Sequence, residues 1–259
     1  MPTERLHDLP ADVLALIESQ AGPVLKHETA GSGLNSEIAA RIHTAEQTMF
    51  IKGLRESHRR VWTQQAEADV NPHVRGIAPA LLWRIQADGW DLLAFEDVSG
   101  RHADYTPGSP DLELVADLIG RLSATPAPDT VTRTMPDRMK AHTNTPELFA
   151  GDSLCHTDWF PTNVLITDRA VLVDWAWASR GAAWIDSALW VVWLINSGHT
   201  AAQAEHWAAR IPAWQAAPAA SIDAFAAATL SVWEQIADGE TEPWVINMLN
   251  AARTWSAHR

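Results

Sequence analysis

Residues 156–163 read His-Thr-Asp-Trp-Phe-Pro-Thr-Asn, and residues 171–175 read Val-Leu-Val-Asp-Trp. The first stretch has the spacing H-x-D-x4-N, in which Asp158 follows His156 by two residues and Asn163 follows Asp158 by five. An apolar strand, a short turn and a second apolar strand come next, and the second strand ends at Asp174. The sequence therefore predicts a loop that carries one carboxylate and one amide, and a second carboxylate at the end of a buried strand.

This combination indicates a phosphoryl-transfer centre. One carboxylate must face the hydroxyl that accepts the phosphate, while an amide and a second carboxylate must hold Mg²⁺ against nucleotide phosphates. The short H-x-D pattern alone recurs by chance in many proteins. Asn163 and Asp174 at their positions make the combination specific.

Composition narrows the possible partners. The chain has 259 residues, 47% of them hydrophobic, and is long enough for one large domain or two lobes. Its 19 basic and 32 acidic residues give a formal charge of −13. Nucleic acids and anionic membranes usually need a basic face, so we expect neither as a partner. A cationic substrate would suit this charge, although solubility explains it equally well.

The sequence also bears on compartment. Cys155 is the only cysteine, so no disulfide can form within the chain. The first residues resemble an amphipathic helix and lack the layout of a signal peptide. No apolar run approaches the 18 residues of a membrane-spanning helix. We therefore expect a cytoplasmic protein.

The first third of the chain is rich in strands. Residues 23–54 are predicted to form three short strands separated by turns, and a helix is predicted over 55–70. Two more strands are predicted at 81–85 and 90–96, with Asp88-Gly89 as the turn between them. The pattern predicts a five-stranded antiparallel sheet with one helix inserted after the third strand.

The remainder is mainly helical. Ser109-Pro110-Asp111 is typical of a helix start, and that helix is predicted to run to about Ser123. Residues 124–136 contain three prolines and are predicted to form an exposed loop, and helical spacing resumes after residue 181. We expect an N-terminal lobe at 1–97, a linker at 98–108 and a C-terminal lobe at 109–259, with the site in the cleft between the lobes.

This order of motifs resembles the aminoglycoside phosphotransferase and choline kinase-like family of small-molecule kinases. The resemblance covers the chain from about residue 24 to its end and is most specific at 154–175. It implies an α+β bilobal protein-kinase-like fold, with the five-stranded sheet and one helix in the smaller lobe. It also implies transfer of phosphate from a nucleoside triphosphate to a hydroxyl of a small molecule.

The resemblance assigns roles to the C-terminal site residues. Asp158 matches the catalytic aspartate, which orients the acceptor hydroxyl and takes its proton. Asn163 and Asp174 match the Mg²⁺ ligands, and hard oxygen atoms suit that ion. His156 matches a position that braces the catalytic loop against the metal-binding turn. Asp186 matches an aspartate that supports the loop through its main chain.

The nucleotide would be held by the N-terminal lobe. Lys52 matches the lysine that contacts the α- and β-phosphates, and an acid on the following helix should pair with it. We choose Glu67, with Glu56 and Asp69 as alternatives. The turn and the inter-lobe segment supply the other predicted contacts: Gly31, Ser32 and Gly33 toward the phosphates, Glu96 and Val98 toward the purine through their main chain, and Phe95 as a pocket wall. Main-chain recognition of the purine leaves ATP and GTP both open.

Two positions depart from the family pattern. Many relatives carry H-x-D-x-H-x-x-N with a glycine before the asparagine, where this chain has Phe160 and Thr162. Among the fourteen tryptophans, most of which we expect in the core, Trp159 and Trp175 flank the predicted site. These two are candidates for cation–π contact with a ligand amine.

We expect an enzyme, a kinase of a small, hydroxylated and cationic acceptor such as an aminoglycoside-type antibiotic. Within the same class the acceptor could be a metabolite such as choline, a sugar or homoserine. A non-catalytic nucleotide-binding pseudokinase is a different possibility, motivated by Phe160 and Thr162. A metal-dependent hydrolase using His156 and Asp158 would need further ligands at a defined spacing, such as H-E-x-x-H, which the sequence lacks. The sequence leaves monomer and homodimer open.

Overall fold

A computed structural model describes residues 5–30 and 36–259. The chain divides into two compact units, Met1–Ser99 and Gly100–Arg259. No helix in the described ranges is both long and apolar enough to cross a membrane.

The first unit is built on one antiparallel sheet. Its elements are α1 (Ala11–Ala21), β1 (Lys26–Thr29), β2 (Ile38–His43), β3 (Thr48–Arg55), α2 (Trp62–Val70), β4 (Leu81–Ala87) and β5 (Trp90–Glu96). The strand order is β1-β2-β3-β5-β4. The predicted five-stranded sheet is confirmed, and so is the helix after its third strand. That helix begins at Trp62 rather than at residue 55, because residues 56–61 form turns.

Alternation along β3 separates the two faces of this sheet. Met49 and Ile51 are buried in a core that includes Val13 and Ile17 of α1. Successive residues of a strand point to opposite faces, so Lys52 lies on the face away from this core. The α1 helix thus covers one face of the sheet, and Lys52 is left on the other.

The predicted turn between β4 and β5 is present. Asp88 has φ 53° and Gly89 has φ 77°. Two successive positive φ angles favour a two-residue hairpin connection of the Asp-Gly kind. This connection sets the register of β5, on which Phe95 and Glu96 lie.

In the described residues the second unit contains five strands, seven α-helices and the candidate catalytic loop. The strands are β6 (Arg101–His102), β7 (Ser153–Cys155), β8 (Val164–Ile166), β9 (Ala170–Leu172) and β10 (Ser179–Gly181). The helices are α3 (Asp111–Ser123), α4 (Met135–Met139), α5 (Ile185–Asn196), α6 (Ala201–Ala208), α7 (Pro212–Gln215), α8 (Ala219–Ile236) and α9 (Pro243–His258), of which α4 and α7 are single turns. β6, β8 and β9 form one small sheet, and β7 pairs with β10.

Two connecting segments differ from the sequence expectation. Most of the predicted linker at 98–108 belongs to the second unit, because β6 pairs with β8 and Tyr105 is buried. The predicted loop at 124–136 is not simply exposed, since Val131 and Met135 are buried and α4 begins within it. A segment rich in proline can still bury apolar side chains at intervals, and composition does not show which ones.

Candidate functional site

The β8–β9 hairpin brings Asn163 close to the segment that carries Asp174. Val164 pairs with Leu172, the first pair at the base of the hairpin. Just below that pair, the Val173 N–H donates to the Asn163 carbonyl at 2.9 Å. Asp174 is the next residue, so the hairpin brings the two residues close together although eleven positions separate them in the chain.

His156 ties the catalytic loop to the same segment. Its Nε2 lies 3.0 Å from the Val173 carbonyl oxygen, and its Nδ1 lies 3.3 Å from the Asp158 main-chain nitrogen. A carbonyl only accepts and an N–H only donates, so Nε2 carries the proton and Nδ1 accepts. The ring also packs edge-on against Trp175 at 4.7 Å. Both ring nitrogens are therefore engaged in bracing the loop, which is the architectural part that the resemblance implied.

Asp186 supports the loop from the first turn of α5. Its Oδ2 accepts from the His156 N–H, and its Oδ1 accepts from the Thr157 N–H and the Trp159 indole N–H, at 2.8–2.9 Å. Burial raises the pKa of the Asp186 carboxyl, and the three donors offset part of that rise. Three N–H groups that all donate fit a carboxylate, because it only accepts.

Asp158 is half-buried beside these groups. Burial raises the pKa of its carboxyl, and the negative charge of Asp174 raises it further, while His156 acts in the opposite direction. The Phe160 N–H donates to its Oδ1 at 3.4 Å. A higher pKa strengthens a carboxylate as a proton acceptor. The group can therefore orient a hydroxyl and take its proton.

Asn163 and Asp174 suit a hard divalent cation. The Asn163 side-chain N–H donates to the Asp158 carbonyl at 3.3 Å, which leaves its amide oxygen as the ligand atom. The Asp174 carboxylate could supply a second oxygen, and Mg²⁺ shared with phosphates takes only one or two such protein ligands. Among the described residues no group of three or more His, Cys, Asp or Glu is arranged to hold a metal ion.

The candidate phosphate-contacting lysine lies in the first unit. Lys52 Nζ is 2.5 Å from Glu67 Oε2, and both side chains are largely buried. The sequence had left Glu56 and Asp69 as alternatives, and the structure places Glu67 as the partner. The ammonium also lies 5.8 Å from the centre of the Phe95 ring. Lys52, Glu67 and Phe95 thus come together on one face of the sheet.

One main-chain group of the predicted purine-binding segment, the Glu96 N–H, is already hydrogen-bonded within the sheet. This N–H donates to the Ala80 carbonyl at 2.9 Å, and the Glu96 side chain accepts from the Ala80 N–H at 3.1 Å. The Glu96 N–H is thus used within the sheet and is not a donor for a ligand. Val98, two residues on, is half-exposed. The predicted phosphate turn of Gly31, Ser32 and Gly33 lies outside the described residues.

The two tryptophans proposed as a ligand platform are core residues. Trp159 is fully buried and donates its indole N–H to Asp186, and Trp175 is 1% exposed and donates to the Leu172 carbonyl at 3.1 Å. That prediction was wrong, because the sequence shows adjacency to Asp158 and Asp174 but not the direction of the rings. The half-exposed ring of Phe160 instead packs against Trp193 of α5, at 4.9 Å between centres.

Sequence reasoning missed two residues of this centre. Arg138, at the end of α4, donates to the Thr157 hydroxyl, the Trp177 carbonyl and the Ser179 hydroxyl. Thr157 lies between His156 and Asp158 and has φ 70°. Arg138 precedes the catalytic loop by some twenty residues in a segment without periodicity, so no sequence signal pointed to it.

Comparisons with known proteins identify the fold. The sequence matches no protein-family model and no curated protein. Choline kinase LicA from Streptococcus pneumoniae matches at TM-score 0.65 and 15% identity, over 96% of this chain and 98% of that one. Aminoglycoside phosphotransferase APH(4)-Ia matches at 0.65 and 14%, over 94% and 98%. Spectinomycin phosphotransferase APH(9)-Ia, solved with ADP and spectinomycin, matches at 0.58 and 11%, over 96% and 94%. These likenesses confirm the predicted resemblance at the level of the fold.

Proposed function

We propose that the protein is a phosphotransferase that moves the γ-phosphate of ATP or GTP to a hydroxyl of a small molecule. The observation that carries the proposal is the convergence of Asp158, Asn163 and Asp174 around His156. A half-buried carboxylate lies near an amide and a second carboxylate, on segments that hydrogen bonds to main-chain groups tie together. Reactions of this class depend mainly on positioning and on charge stabilisation, and this centre is built for both.

Asp158 acts on the acceptor. Its carboxylate accepts a hydrogen bond from the hydroxyl and takes the proton as the oxygen forms its bond to the γ-phosphorus. The bond from that phosphorus to the bridging oxygen breaks, and a nucleoside diphosphate leaves with those electrons. Asn163 and Asp174 would hold Mg²⁺, which when bound supplies positive charge to the phosphates. His156 and Asp186 keep the loop in position and take no proton.

The first unit would bind the nucleotide. Lys52, steadied by Glu67, contacts phosphate oxygens, and Phe95 packs against the base. Gly31, Ser32 and Gly33 remain the proposed phosphate turn. Main-chain atoms near Glu96 and Val98 remain the proposed purine contacts, without the Glu96 N–H. A nucleotide donor and a single buried cysteine both suit the cytoplasm.

The acceptor that we favour is cationic, of the aminoglycoside type. The charge of −13 supports this choice, as do the phosphotransferases of hygromycin-type and spectinomycin antibiotics among the fold neighbours. Some C-terminal acids are already ion-paired: Glu205 and Asp223 with Arg259, and Glu234 with Arg253. Fewer C-terminal carboxylates are therefore available to bind a cationic acceptor than the composition suggests. A metabolite acceptor is the second candidate, because choline kinase shares the fold.

The deciding experiment measures acceptor-dependent release of ADP or GDP in the presence of Mg²⁺. The panel would contain aminoglycosides, other basic antibiotics, choline, sugars and amino alcohols. Asp158→Asn should abolish turnover of any hit while leaving nucleotide affinity within about twofold, since it removes only the proton acceptor. Arg210→Met, which breaks an exposed ion pair with Glu113, is the control and should retain turnover.

Three results would contradict parts of the proposal. Unchanged turnover in Asp158→Asn would remove this residue from the mechanism. Nucleotide binding without transfer to any acceptor would favour the pseudokinase. Failure to bind either nucleotide with Mg²⁺ would end the kinase interpretation altogether.

A further inference from the structure

The main chain is strained beside the catalytic carboxylate. In the described ranges, the non-glycine residues with positive φ are Asp88, Thr157 and Asp174, at 53°, 70° and 66°. Asp88 belongs to a tight hairpin turn that requires a positive φ. Thr157 is β-branched, and such a residue is a marked outlier in the left-handed region. Strain of this kind persists only where surrounding contacts enforce it.

Thr157 is held from three sides. Its main-chain N–H donates to Asp186 at 2.9 Å, and its hydroxyl donates to the Trp177 carbonyl at 3.0 Å. The same hydroxyl accepts from Arg138 Nη1 at 2.5 Å. The side-chain oxygen therefore has both a donor and an acceptor, and the residue is fixed in its strained conformation.

Arg138 joins the two strained positions. Its Nη1 also donates to the Trp177 carbonyl at 3.1 Å and to the Ser179 hydroxyl at 3.0 Å. Trp177 ends the short 3-10 helix that Asp174 opens. One guanidinium therefore connects the residue before Asp158 with the turn after Asp174.

We propose that Arg138 is a positioning residue, which sets the direction of the Asp158 carboxylate by holding Thr157 in the left-handed conformation. The inference rests on the proposed function, because it assumes that Asp158 meets the acceptor. Arg138 itself touches neither the acceptor nor the phosphates in this scheme. We call the Arg138–Thr157–Trp177 contacts the loop clamp.

Burying the charged Arg138 side chain costs desolvation free energy, and a purely stabilising role does not explain why a charged residue is used here. All three of its acceptors are neutral oxygens, and α4 keeps it half-buried. Burial and the nearby charge of Arg133 lower the pKa of this guanidinium to about 10, although Asp186 and Asp158 act in the opposite direction. An apolar side chain of similar length would fill the space without that desolvation. The guanidinium, in contrast, brings its Nη1 within hydrogen-bond distance of all three oxygens, which an apolar side chain cannot do.

The test compares Arg138→Met, Thr157→Val and their double variant with the wild-type protein. Thr157→Val keeps the shape of the side chain and removes its hydroxyl. We expect each single variant to lower kcat by about 10- to 100-fold, the range that a small misplacement of a catalytic group produces. The KM for the nucleotide should stay within about twofold, because the lysine site is untouched. The double variant should lose no more kcat than the worse single variant, since both substitutions break the same loop clamp.

Thr157→Ser retains the hydroxyl and should recover most of kcat. Arg138→Lys keeps the charge, but its Nζ ends one bond short of the position of Nη1, and the variant should behave like Arg138→Met. Arg210→Met again serves as the matched control. Amide hydrogen exchange of residues 154–164 gives a readout independent of turnover, and should rise in Arg138→Met and Thr157→Val alike. Thermal unfolding of each variant identifies any loss of kcat that comes from unfolding alone.

The inference is overturned if Arg138→Met keeps wild-type kcat, or if the two single losses multiply in the double variant. A rise in nucleotide KM that accounts for the whole loss would also overturn it. Failure of the proposed function is seen separately, in the wild-type protein, as nucleotide binding without transfer. The present inference fails only in the comparison between variants.

Discussion

Main-chain groups do most of the work of placing Asp158. The Asp158 N–H donates to His156, the preceding N–H groups donate to Asp186, and the Phe160 N–H reaches the carboxylate. This explains how the departure at Phe160 can be accommodated. Phe160 contributes its N–H whatever its side chain, and its ring packs against Trp193. The changed side chain therefore leaves the position of the Asp158 carboxylate to main-chain atoms that most residue types supply.

The Lys52–Glu67 pair gives a test of the nucleotide site. Glu67→Gln removes the negative charge beside a largely buried ammonium. We expect nucleotide affinity to fall about tenfold and the free energy of unfolding to fall by about 1–3 kcal/mol, the usual range for a charged hydrogen bond. Calorimetric titration and denaturant unfolding measure the two effects.

A second change separates these effects. Lys52→Met combined with Glu67→Leu should restore stability, because no buried charge is left, but not affinity. Lys26→Met is the matched control, since the Lys26–Glu28 pair has the same 2.5 Å distance but is exposed. It should leave both quantities nearly unchanged. An equal effect of the control and Glu67→Gln would show that burial of the pair is unimportant.

Sequence predicted the candidate reacting residues and their supports at His156 and Asp186, and missed Arg138 and Thr157. Asp158, Asn163 and Asp174 carry functional groups at a recognisable spacing, and the choice of Glu67 followed from its helix. Arg138 acts through contacts with Thr157 and Trp177, which depend on where a single turn of helix packs. Nothing in the local sequence encodes that packing. Side-chain direction, which placed Trp159 and Trp175 in the core, was equally hidden.

The start of α3 is joined to β6 by one carboxylate. Asp111 is 1% exposed and accepts from both terminal nitrogens of Arg101 at 2.5 Å. It also accepts from the Asp104 N–H at 2.9 Å. The residue therefore fixes the chain between β6 and α3, the segment expected from composition to be a linker.

This contact predicts a pH-dependent contribution to stability. The hydrogen bonds from Arg101 lower the pKa of the Asp111 carboxyl in the folded protein. The unfolded value is about 3.9, so the stabilisation is fully present above that pH and is lost as pH falls through the lower folded value. We expect Asp111→Asn to cost about 1–3 kcal/mol at pH 7 and progressively less at strongly acidic pH.

Urea unfolding of both proteins from pH 7 down to pH 2 measures this difference. Taking the difference between wild type and variant removes the contribution of the other acids. If the difference in the free energy of unfolding between the two proteins stays constant from pH 7 to pH 2, the charge of Asp111 is unimportant and only its shape matters.

Local patterns predicted the strands better than the ends of the helices. β3 alternates between buried and half-buried residues along most of its length, and Asp88-Gly89 marks the hairpin, so the five-stranded sheet was recoverable. The start of α2 was placed too early because residues 56–61 have helical composition and yet form turns. The helical pattern says little there, since tertiary contacts decide where a first turn begins.

Across the whole chain, the charge of −13 is the property most relevant to the acceptor. A negative field attracts cations and raises their rate of encounter, and salt screens it. The fold itself does not identify the acceptor, because one fold accommodates many substrates. This is why composition and motifs predicted a kinase-like fold but left the acceptor open.

A cationic acceptor predicts a salt effect. Raising the ionic strength from about 20 mM to about 300 mM shortens the screening length from roughly 20 Å to roughly 6 Å. We expect kcat/KM for a cationic acceptor to fall at least about threefold, with the nucleotide saturating and Mg²⁺ constant. A neutral hydroxylated acceptor is the control and should change little. Equal salt dependence for both acceptors would argue against steering by the charge of the protein.

The β8–β9 hairpin has a consequence for recognising related chains. The proposed ligand pair, Asn163 and Asp174, lies at its base, where Val164 pairs with Leu172, whereas its tip at 167–169 is exposed. A residue added at the tip would lengthen the interval between Asn163 and Asp174 without moving either of them, but a residue added within a strand would displace one. Insertions and deletions in related chains should therefore occur mainly at the tip of this hairpin. A search profile with a fixed interval would overlook such chains, and one with a variable gap at residue 168 would find them.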